Sequence, residues 1–545
     1  MRYFQFEHYF WLLRFACCLL LLSNPCTLKA FAIDSKMLQQ KLNVEKGNTD
    51  LTTKNALVEL QRFYKSRNYE PVWFLQTASS SLLDNALTFI ESADKEGLDS
   101  RDYQFPKLLQ LKQLEEQRSS SQSVTLELQT TRAVLTLARD LSRGRLSASS
   151  ADPDWHIPQP SFDAVTFLQK ALQSGDLTQS FNSLSPQEPS YQLLKQTLIR
   201  YQQISNNANW EKIPDMPSLR PHSTDSAVVL LRQRIAQAYA IEGIEAYNIT
   251  PSDSLVYDEE LVNAIKAFQT QHNLNADGVI GRNTLKALNT PLEWRIRQLR
   301  ISMERLRWLP KNLGNRHILV NIAGFRLTAT EQGKSPLNMR IIVGMGYRST
   351  PSFKSNMSHM VLNPYWTVPA TIAQKDLLPK QQKNPAFFTT SNFKVYASYD
   401  REAEPIDPAS VDWRALKNFP FLLRQQPGKN NALGRVKFMF PNSFDIYLHD
   451  TPSRALFQKD VRTFSSGCIR LEKPFELAAF VLGKQELSET FLTKIEEGNP
   501  ATMHLPKQLP IYLMYITAWV DEQQNVHFSS DIYDRDMRAL RYAGW

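Results

Sequence analysis

The sequence predicts a multidomain α+β protein: a helical N-terminal scaffold, a small three-helix module, and a mostly-β C-terminal domain carrying an insertion. Three observations carry this expectation. Apolar residues recur at helical spacing from Lys54 to Leu288, the pattern switches to short alternating runs from Asn315, and a polar stretch rich in Gln, Lys, Asn and Pro breaks those runs between Thr371 and Arg435. With 545 residues, 42% apolar and 11% aromatic, the chain is long enough for three or so separate cores. The boundaries read from these shifts are 1–32 for a leader, 33–220 for the scaffold and 221–291 for the three-helix module. The β domain follows at 297–510, with 371–435 as its insertion, and 511–545 forms a hairpin and tail.

In chain order, Arg2 and Arg14 precede or break an apolar run, Phe15 to Leu22, and Ala30-Phe31-Ala32 follows with a small-x-small cleavage pattern. This reads as a secretory signal, because eight apolar residues fall far short of the roughly 20 that span a bilayer. The expectation is an exported protein, peripheral to a membrane at most, with an uncleaved anchor as the alternative. In the scaffold, Leu57, Leu60 and Tyr64 line one helix face before Pro71 stops the run, and Val134, Leu137, Ala138 and Leu141 line another. Ser92-Ala93-Asp94-Lys95 fits the S-x-x-K of serine acyl enzymes, but no K-T-G accompanies it, and Ser92 reads as helix surface. Leu261, Ile265 and Phe268 form a stripe in the three-helix module, followed by a turn, Asn275 to Gly281, whose glycines suit positive φ.

The β domain opens with strands at 317–322, 325–329, 339–343 and 359–362. An insertion as long as 371–435 beside a candidate site suggests a lid, with a surface decoration as the alternative. Further on, Pro474 opens a helix carrying Phe475, Leu477, Ala478 and Val481, and residues 511–527 read as a hairpin that closes the sheet around Gln523-Gln524-Asn525.

The chemistry concentrates at one cysteine. Cys17, Cys18 and Cys26 fall in the leader, which leaves Cys468 behind the turn-forming Ser465-Ser466-Gly467. Alternation in Phe444 to His449 puts Phe444, Ile446 and Leu448 on one strand face and Tyr447 with His449 on the other, 468 − 449 = 19 residues before the thiol. A thiol near a fixed imidazole is the minimal kit for acyl transfer, since the thiolate attacks and His relays the proton. A lone Cys is otherwise a small buried hydrophobe, but one left over in an exported chain suggests a reactive role. The net charge of +9 suits an anionic polymer; nucleic acid is disfavoured because no Lys/Arg block, zinc-finger spacing or RNA-binding signature occurs. No metal-ligand spacing is visible and the chemistry needs no cofactor.

His449-Asp450-Thr451 with Ser465-Ser466-Gly467-Cys468-Ile469-Arg470-Leu471 resembles the active-site signature of the YkuD-like L,D-transpeptidases, and more closely their YcbB-type branch. The commoner family motif has His directly before Gly-Cys; Ser466 stands there in this chain, which leaves the base role to His449. The segments Phe63 to Trp73 and Asn363 to Pro369 are similar to the scaffold start and the substrate border of that branch, and AIKAFQTQHNLNADGVIGRNTLKALN is similar to a peptidoglycan-binding module.

The resemblance implies a periplasmic enzyme of a Gram-negative envelope that cross-links stem peptides between their third residues and is acylated by carbapenems. Cys468 would be the nucleophile, His449 the base, the Asp450 carbonyl its orienter, and the Gly467 and Cys468 amides the oxyanion donors. Arg470, Tyr447, Trp366 and Ser466 would border the substrate, with the insertion as a cap and His359 as a second, structural histidine. Partners would be stem peptides and glycan strands, with a wall-linked lipoprotein as another acceptor. A cysteine amidase, endopeptidase or L,D-carboxypeptidase, and a non-catalytic wall-binding protein, are the alternatives.

Overall fold

The computed structural model describes residues 33–44, 51–74, 79–205, 210–242, 254–398 and 403–545; the expected leader, with Cys17, Cys18 and Cys26, lies outside the described residues. The chain forms two compact units, one from residues up to 92 with 99–138 and 163–181, the other from 93–98, 139–162 and 182–545. The stretch 33–220 is therefore divided between them.

The first unit is helical. Leu57, Leu60 and Tyr64 are buried on the helix Leu51–Lys65, and Val134, Leu137 and Ala138 on the helix Ser120–Arg143. After Lys65 the chain turns through Asn68 and Tyr69, both at positive φ. Glu127 closes that turn by accepting from Val72 N at 2.6 Å, Trp73 N at 3.0 Å and the Tyr64 hydroxyl at 2.7 Å. Burial pushes its carboxyl up to about 7. Ser92 donates to the Phe89 carbonyl at 2.6 Å, a local helix-end bond.

In the second unit the helices Ala227–Glu242, Glu259–Gln271 and Arg282–Leu288 pack Leu231, Ile235, Tyr239, Leu261, Ile265, Phe268 and Leu285 into one small core. Of the two glycines in the following turn, Gly278 uses positive φ (73°) and Gly281 is extended at −91°. The helix Leu292–Arg307 then leads to the β domain.

The strands of that domain are β1 (Arg316–Asn321), β2 (Arg326–Glu331), β3 (Leu337–Gly344), β4 (Phe353–Leu362), β5 (Trp366–Thr367), β6 (Phe393–Tyr396), β7 (Pro405–Ile406), β8 (Leu422–Gln425), β9 (Val436–Met439), β10 (Leu448–His449), β11 (Thr463–Ser465), β12 (Ile469–Leu471), β13 (Ala501–Met514), β14 (Ala518–Val520) and β15 (Val526–Phe528). The main sheet runs β11-β3-β12-β10-β9-β4-β13-β1-β2, and an added β2–β3 pairing closes it. Ile318, Val320, Met360, Phe438, Leu448 and Ile469 fill its interior. Pro474–Leu482 is a helix, as its first-turn proline predicts.

Three expectations need correction. Only Leu448 and His449 are paired as strand, because Asp445 adopts a left-handed φ of 54° and breaks the run from Phe444. The hairpin around residues 521–525 exists as β14–β15, but it forms its own two-stranded sheet; the main sheet is instead crossed by the 14-residue β13. The insertion is not merely polar. Its elements run from Trp366 to Gln425, with a sheet ordered β5-β8-β6-β7 and a core of Val368, Leu377, Phe388, Val395, Trp413 and Leu423.

The sequence offered no hint of the charge network under the β domain. Arg305 and Arg307 are wholly buried on the helix Leu292–Arg307. Arg305 pairs with Asp536 of the helix Arg535–Ala543 and stands 3.7 Å from Asp152. Arg307 meets Glu304 at 3.2 Å and the Tyr191 hydroxyl at 2.7 Å. Removing one member of such a group strands a buried charge. Arg305→Met is therefore expected to cost about 3–5 kcal/mol, read as a lower urea midpoint of the β domain, whereas adding Asp536→Leu should recover most of the loss. Equal midpoints for Arg305→Met and the parent would contradict this account.

Candidate active site

Cys468 sits just before β12, at a half-buried position, and Ile469 N donates to the Tyr447 carbonyl at 3.1 Å. Parallel pairing of β10 with β12 sets His449 opposite Arg470 and Leu448 opposite Ile469. Since Leu448 and Ile469 point into the core, His449 and Arg470 share the outer face, while the half-buried Cys468 packs against the core and is acted on by Tyr447, Lys437 and Arg470. On the other side of β10, Lys437 pairs with His449, and its Nζ lies 3.8 Å from the Tyr447 ring centroid.

His449 is 4% exposed, and its Nδ1 lies 2.6 Å from the Asp450 carbonyl oxygen. A carbonyl can only accept, so Nδ1 carries the proton and Nε2 is left as the acceptor. The Asp450 carboxylate is engaged elsewhere, by Arg435 N at 2.8 Å, Thr451 N at 2.7 Å and the Arg454 guanidinium. Gly434, at a φ of 62°, makes room for it: a Cβ there would lie 2.3 Å from the carboxyl.

Burial is the largest influence on both reacting groups. It pushes the Cys468 thiol up, opposed by the Tyr447 N–H and hydroxyl and by the charges of Lys437 and Arg470. It draws His449 down to about 3, with Arg470 and Lys437 adding to the effect and the Asp450 carbonyl opposing it. Cys468 thus rests as a neutral thiol, its Sγ 3.7 Å from the Asp445 carbonyl oxygen, and His449 as a neutral imidazole.

The turn that leads into Cys468 is held from both sides. Gly467, at a φ of 118°, has its carbonyl bound by the Thr350 hydroxyl at 2.7 Å, and Arg535 holds the Thr350 carbonyl at 2.8 Å. The Gly467 amide, expected to be free for an oxyanion, donates to Ser465 Oγ at 3.1 Å. Ser466 is exposed and accepts from Arg348 at 2.8 Å, and Arg348 also pairs at 2.7 Å with Asp376 of the insertion.

Arg470 lies on the shared face with its Nε buried and without a hydrogen-bond partner. Trp366 belongs to β5 of the insertion, its ring 6.1 Å from Phe393 and packed against that subdomain's core. His359 is two strands from His449 and binds Ser358 at 2.9 Å. Sequence reasoning passed over Lys437, Arg348, Thr350 and Arg535. Only Lys437 had a signal, the alternation of Val436 to Met439 beside a His-bearing strand.

Among the described residues no cluster of three or more His, Cys, Asp or Glu is suited to a metal ion, and no helix is long and apolar enough to cross a membrane.

Comparison with known proteins gives a consistent picture. Residues 58–198 match a scaffold domain, residues 224–288 a "putative peptidoglycan binding domain", and residues 315–502 the YkuD family, the L,D-transpeptidase catalytic domain. A Haemophilus influenzae protein named "Putative L,D-transpeptidase" is 35% identical over 290 residues, 52% of this chain and 57% of that protein. The match thus spans little more than half of the relative's length. The solved L,D-transpeptidase (residues 123–326) of Xylanimonas cellulosilytica aligns over 55% of this chain and 100% of its own, at 14% identity and a TM-score of 0.18, and nothing is built on that likeness.

The Tyr447 hydroxyl favours the charged form of Cys468 when the thiol ionises, and a hydrogen bond to a charged group contributes about 1.5–3 kcal/mol. Tyr447→Phe should therefore raise the Cys468 pKa and slow its alkylation by iodoacetamide at neutral pH by about tenfold or more, followed by peptide mass. An unchanged alkylation rate would remove Tyr447 from the site.

Proposed function

We propose that this chain is a peptidoglycan L,D-transpeptidase that works through a cysteine thioester. The observation that carries the reading is the convergence at β10 and β12 of Cys468, Tyr447, His449 and Arg470, with the imidazole tautomer held by the Asp450 carbonyl. The match of residues 315–502 to the L,D-transpeptidase catalytic domain supports the reaction class, and that of residues 224–288 supports peptidoglycan as the partner.

In the first half-reaction Cys468 Sγ attacks the carbonyl of the third stem residue while its proton passes to His449 Nε2. The tetrahedral oxyanion is held by the Cys468 amide and the Tyr447 hydroxyl, since the Gly467 amide is occupied by Ser465. Collapse breaks the amide bond, His449 protonates the departing amine, and D-alanine leaves. In the second half-reaction the side-chain amine of a neighbouring stem attacks the thioester, His449 takes its proton, and the thiol is released. Arg470, whose Nε has no partner, holds a stem carboxylate.

The insertion acts as a lid, tied to the nucleophile turn through Asp376, Arg348 and Ser466. Work in an exported, periplasmic setting fits this substrate. A wall-linked lipoprotein amine would serve as acceptor by the same chemistry, and water would give a carboxypeptidase.

Two experiments test the reading. With both groups neutral at rest, acylation by a carbapenem or a tetrapeptide stem should be level from about pH 5 to pH 8, since His449 protonates only near 3 and the thiol ionises above its usual range. Cys468→Ala should fold and show no adduct by intact mass. His449→Gln should be slow and gain about tenfold per pH unit, because it must wait for free thiolate. A parent rate that climbs in the same way would exclude His449 as the base.

The second test removes the insertion. Asn431 Nδ2 bridges the two ends of the subdomain, at 3.1 Å from the Pro364 carbonyl and 2.9 Å from that of Gln426, so residues 366–425 can be replaced by a short Gly/Ser loop. A cut reaching 435 would also remove Gly434 and Arg435, which hold Asp450. The narrower deletion should keep carbapenem acylation and lower the ratio of cross-linked dimer to free tripeptide. An unchanged ratio in a folded deletion variant would show that the insertion is no lid.

A further inference from the structure

A pocket of about 430 Å³ opens where the three-helix module meets the β domain, and neither Cys468 nor His449 lines it. Its charged walls are Arg326, Arg340, Lys459 and Arg462 against the single carboxylate of Glu472, so with His527 neutral the lining carries 4 − 1 = +3. Two of these cations are already matched: Arg340 pairs with Glu472, and Arg326 with Glu522 at 2.6 Å. Lys459 is exposed.

Arg462 is different. It is 6% exposed and, among the described residues, makes no ion pair. Nη1 donates to the Lys459 carbonyl at 2.8 Å and Nη2 to Asn273 Oδ1 at 3.2 Å, while Nε is buried without a partner. Burial and Arg340 draw its pKa down to about 10, opposed by Glu472 and Asp460. The guanidinium lies 5.0 Å from the Phe325 ring centroid, but a buried cation without a carboxylate at contact distance is costly unless an anion joins it. The flanking loop is held for such a ligand, since Asp460 accepts from Asn275 N at 2.7 Å and Asn283 Nδ2 at 2.8 Å. Both bodies thus build the site: the module contributes Asn273, and the β domain supplies the charge.

We infer that this seam pocket is a second substrate site, in which Arg462, with Lys459 and Arg340 alongside, takes a free carboxylate of a wall stem peptide. The inference rests on the peptidoglycan reading above, and it separates recognition of a strand from the chemistry at Cys468. A stem held there raises the local concentration of its neighbours at the active site without any new contact to the thiol.

The test uses the full chain and a tetrapeptide stem carrying a diazirine, with cross-linked segments mapped by mass spectrometry. Label should appear in the 273–276 and 457–462 segments, fall by about tenfold when the peptide carboxylates are amidated, and fall similarly in Arg462→Gln. Lys459→Glu reverses an exposed charge and tests the site independently should Arg462→Gln not fold. Label confined to the segments around Cys468, or equal labelling by the amidated peptide, would overturn the proposal. Loss of label to inorganic phosphate at the peptide's own concentration would reduce the pocket to a general anion site and overturn the carboxylate assignment. Acylation of Cys468 in the parent, followed separately by intact mass, reports on the transpeptidase reading alone.

Discussion

The pairing of Arg305 with Asp536 and of Arg535 with Asp152 and Asp154 is the constraint on which the second unit depends. Ion pairs this deep contribute little net stability compared with apolar packing of the same volume. What they impose is register. A helix that carries a buried guanidinium has few acceptable seats, and each of these arginines is seated where a carboxylate meets it. The helix Leu292–Arg307, the segment around Asp152 and the helix Arg535–Ala543 are thereby fixed to one another. The constraint reaches the chemistry within a few bonds. Arg535 holds the Thr350 carbonyl, Thr350 holds the Gly467 carbonyl, and Gly467 precedes Cys468.

The parts of this protein that were legible in its sequence are those fixed by short-range pattern. Helical spacing located Leu261, Ile265 and Phe268, the first-turn Pro474 located its helix, and the pair His449 and Cys468 stood out against a chain with few cysteines. The segment Phe444 to His449 shows where pattern misleads. Its apolar residues do face the core, but a left-handed Asp445 bends the chain, and alternation alone cannot see φ. The insertion misled in another way. Its aromatic residues are spread thinly among Gln, Lys and Pro, yet Phe388, Trp413, Phe419 and Phe421 converge into one cluster, with Trp413 stacked on Phe419 and the other contacts edge to face.

What could not be read was long-range partnership. Asp536 lies far along the chain from Arg305, and no local period marks a charged residue as buried. Local alternation marks the strand that carries Lys437, but its place beside Tyr447 follows only from antiparallel pairing of β9 with β10. The occupied Gly467 amide is a subtler case. The residue types of a tight Ser-Ser-Gly-Cys turn offer several donors, but only the folded geometry shows that Ser465 already accepts from one of them.

The half-buried, neutral thiol of Cys468 has a consequence for the lifetime of the protein. Peroxides and disulfides react with thiolate, and very slowly with thiol. A cysteine held protonated by burial is therefore shielded from oxidation to sulfenic acid, and no second cysteine of the described chain stands ready to rescue it as a disulfide. The same burial that keeps His449 neutral also lets the Cys468 thiol age slowly.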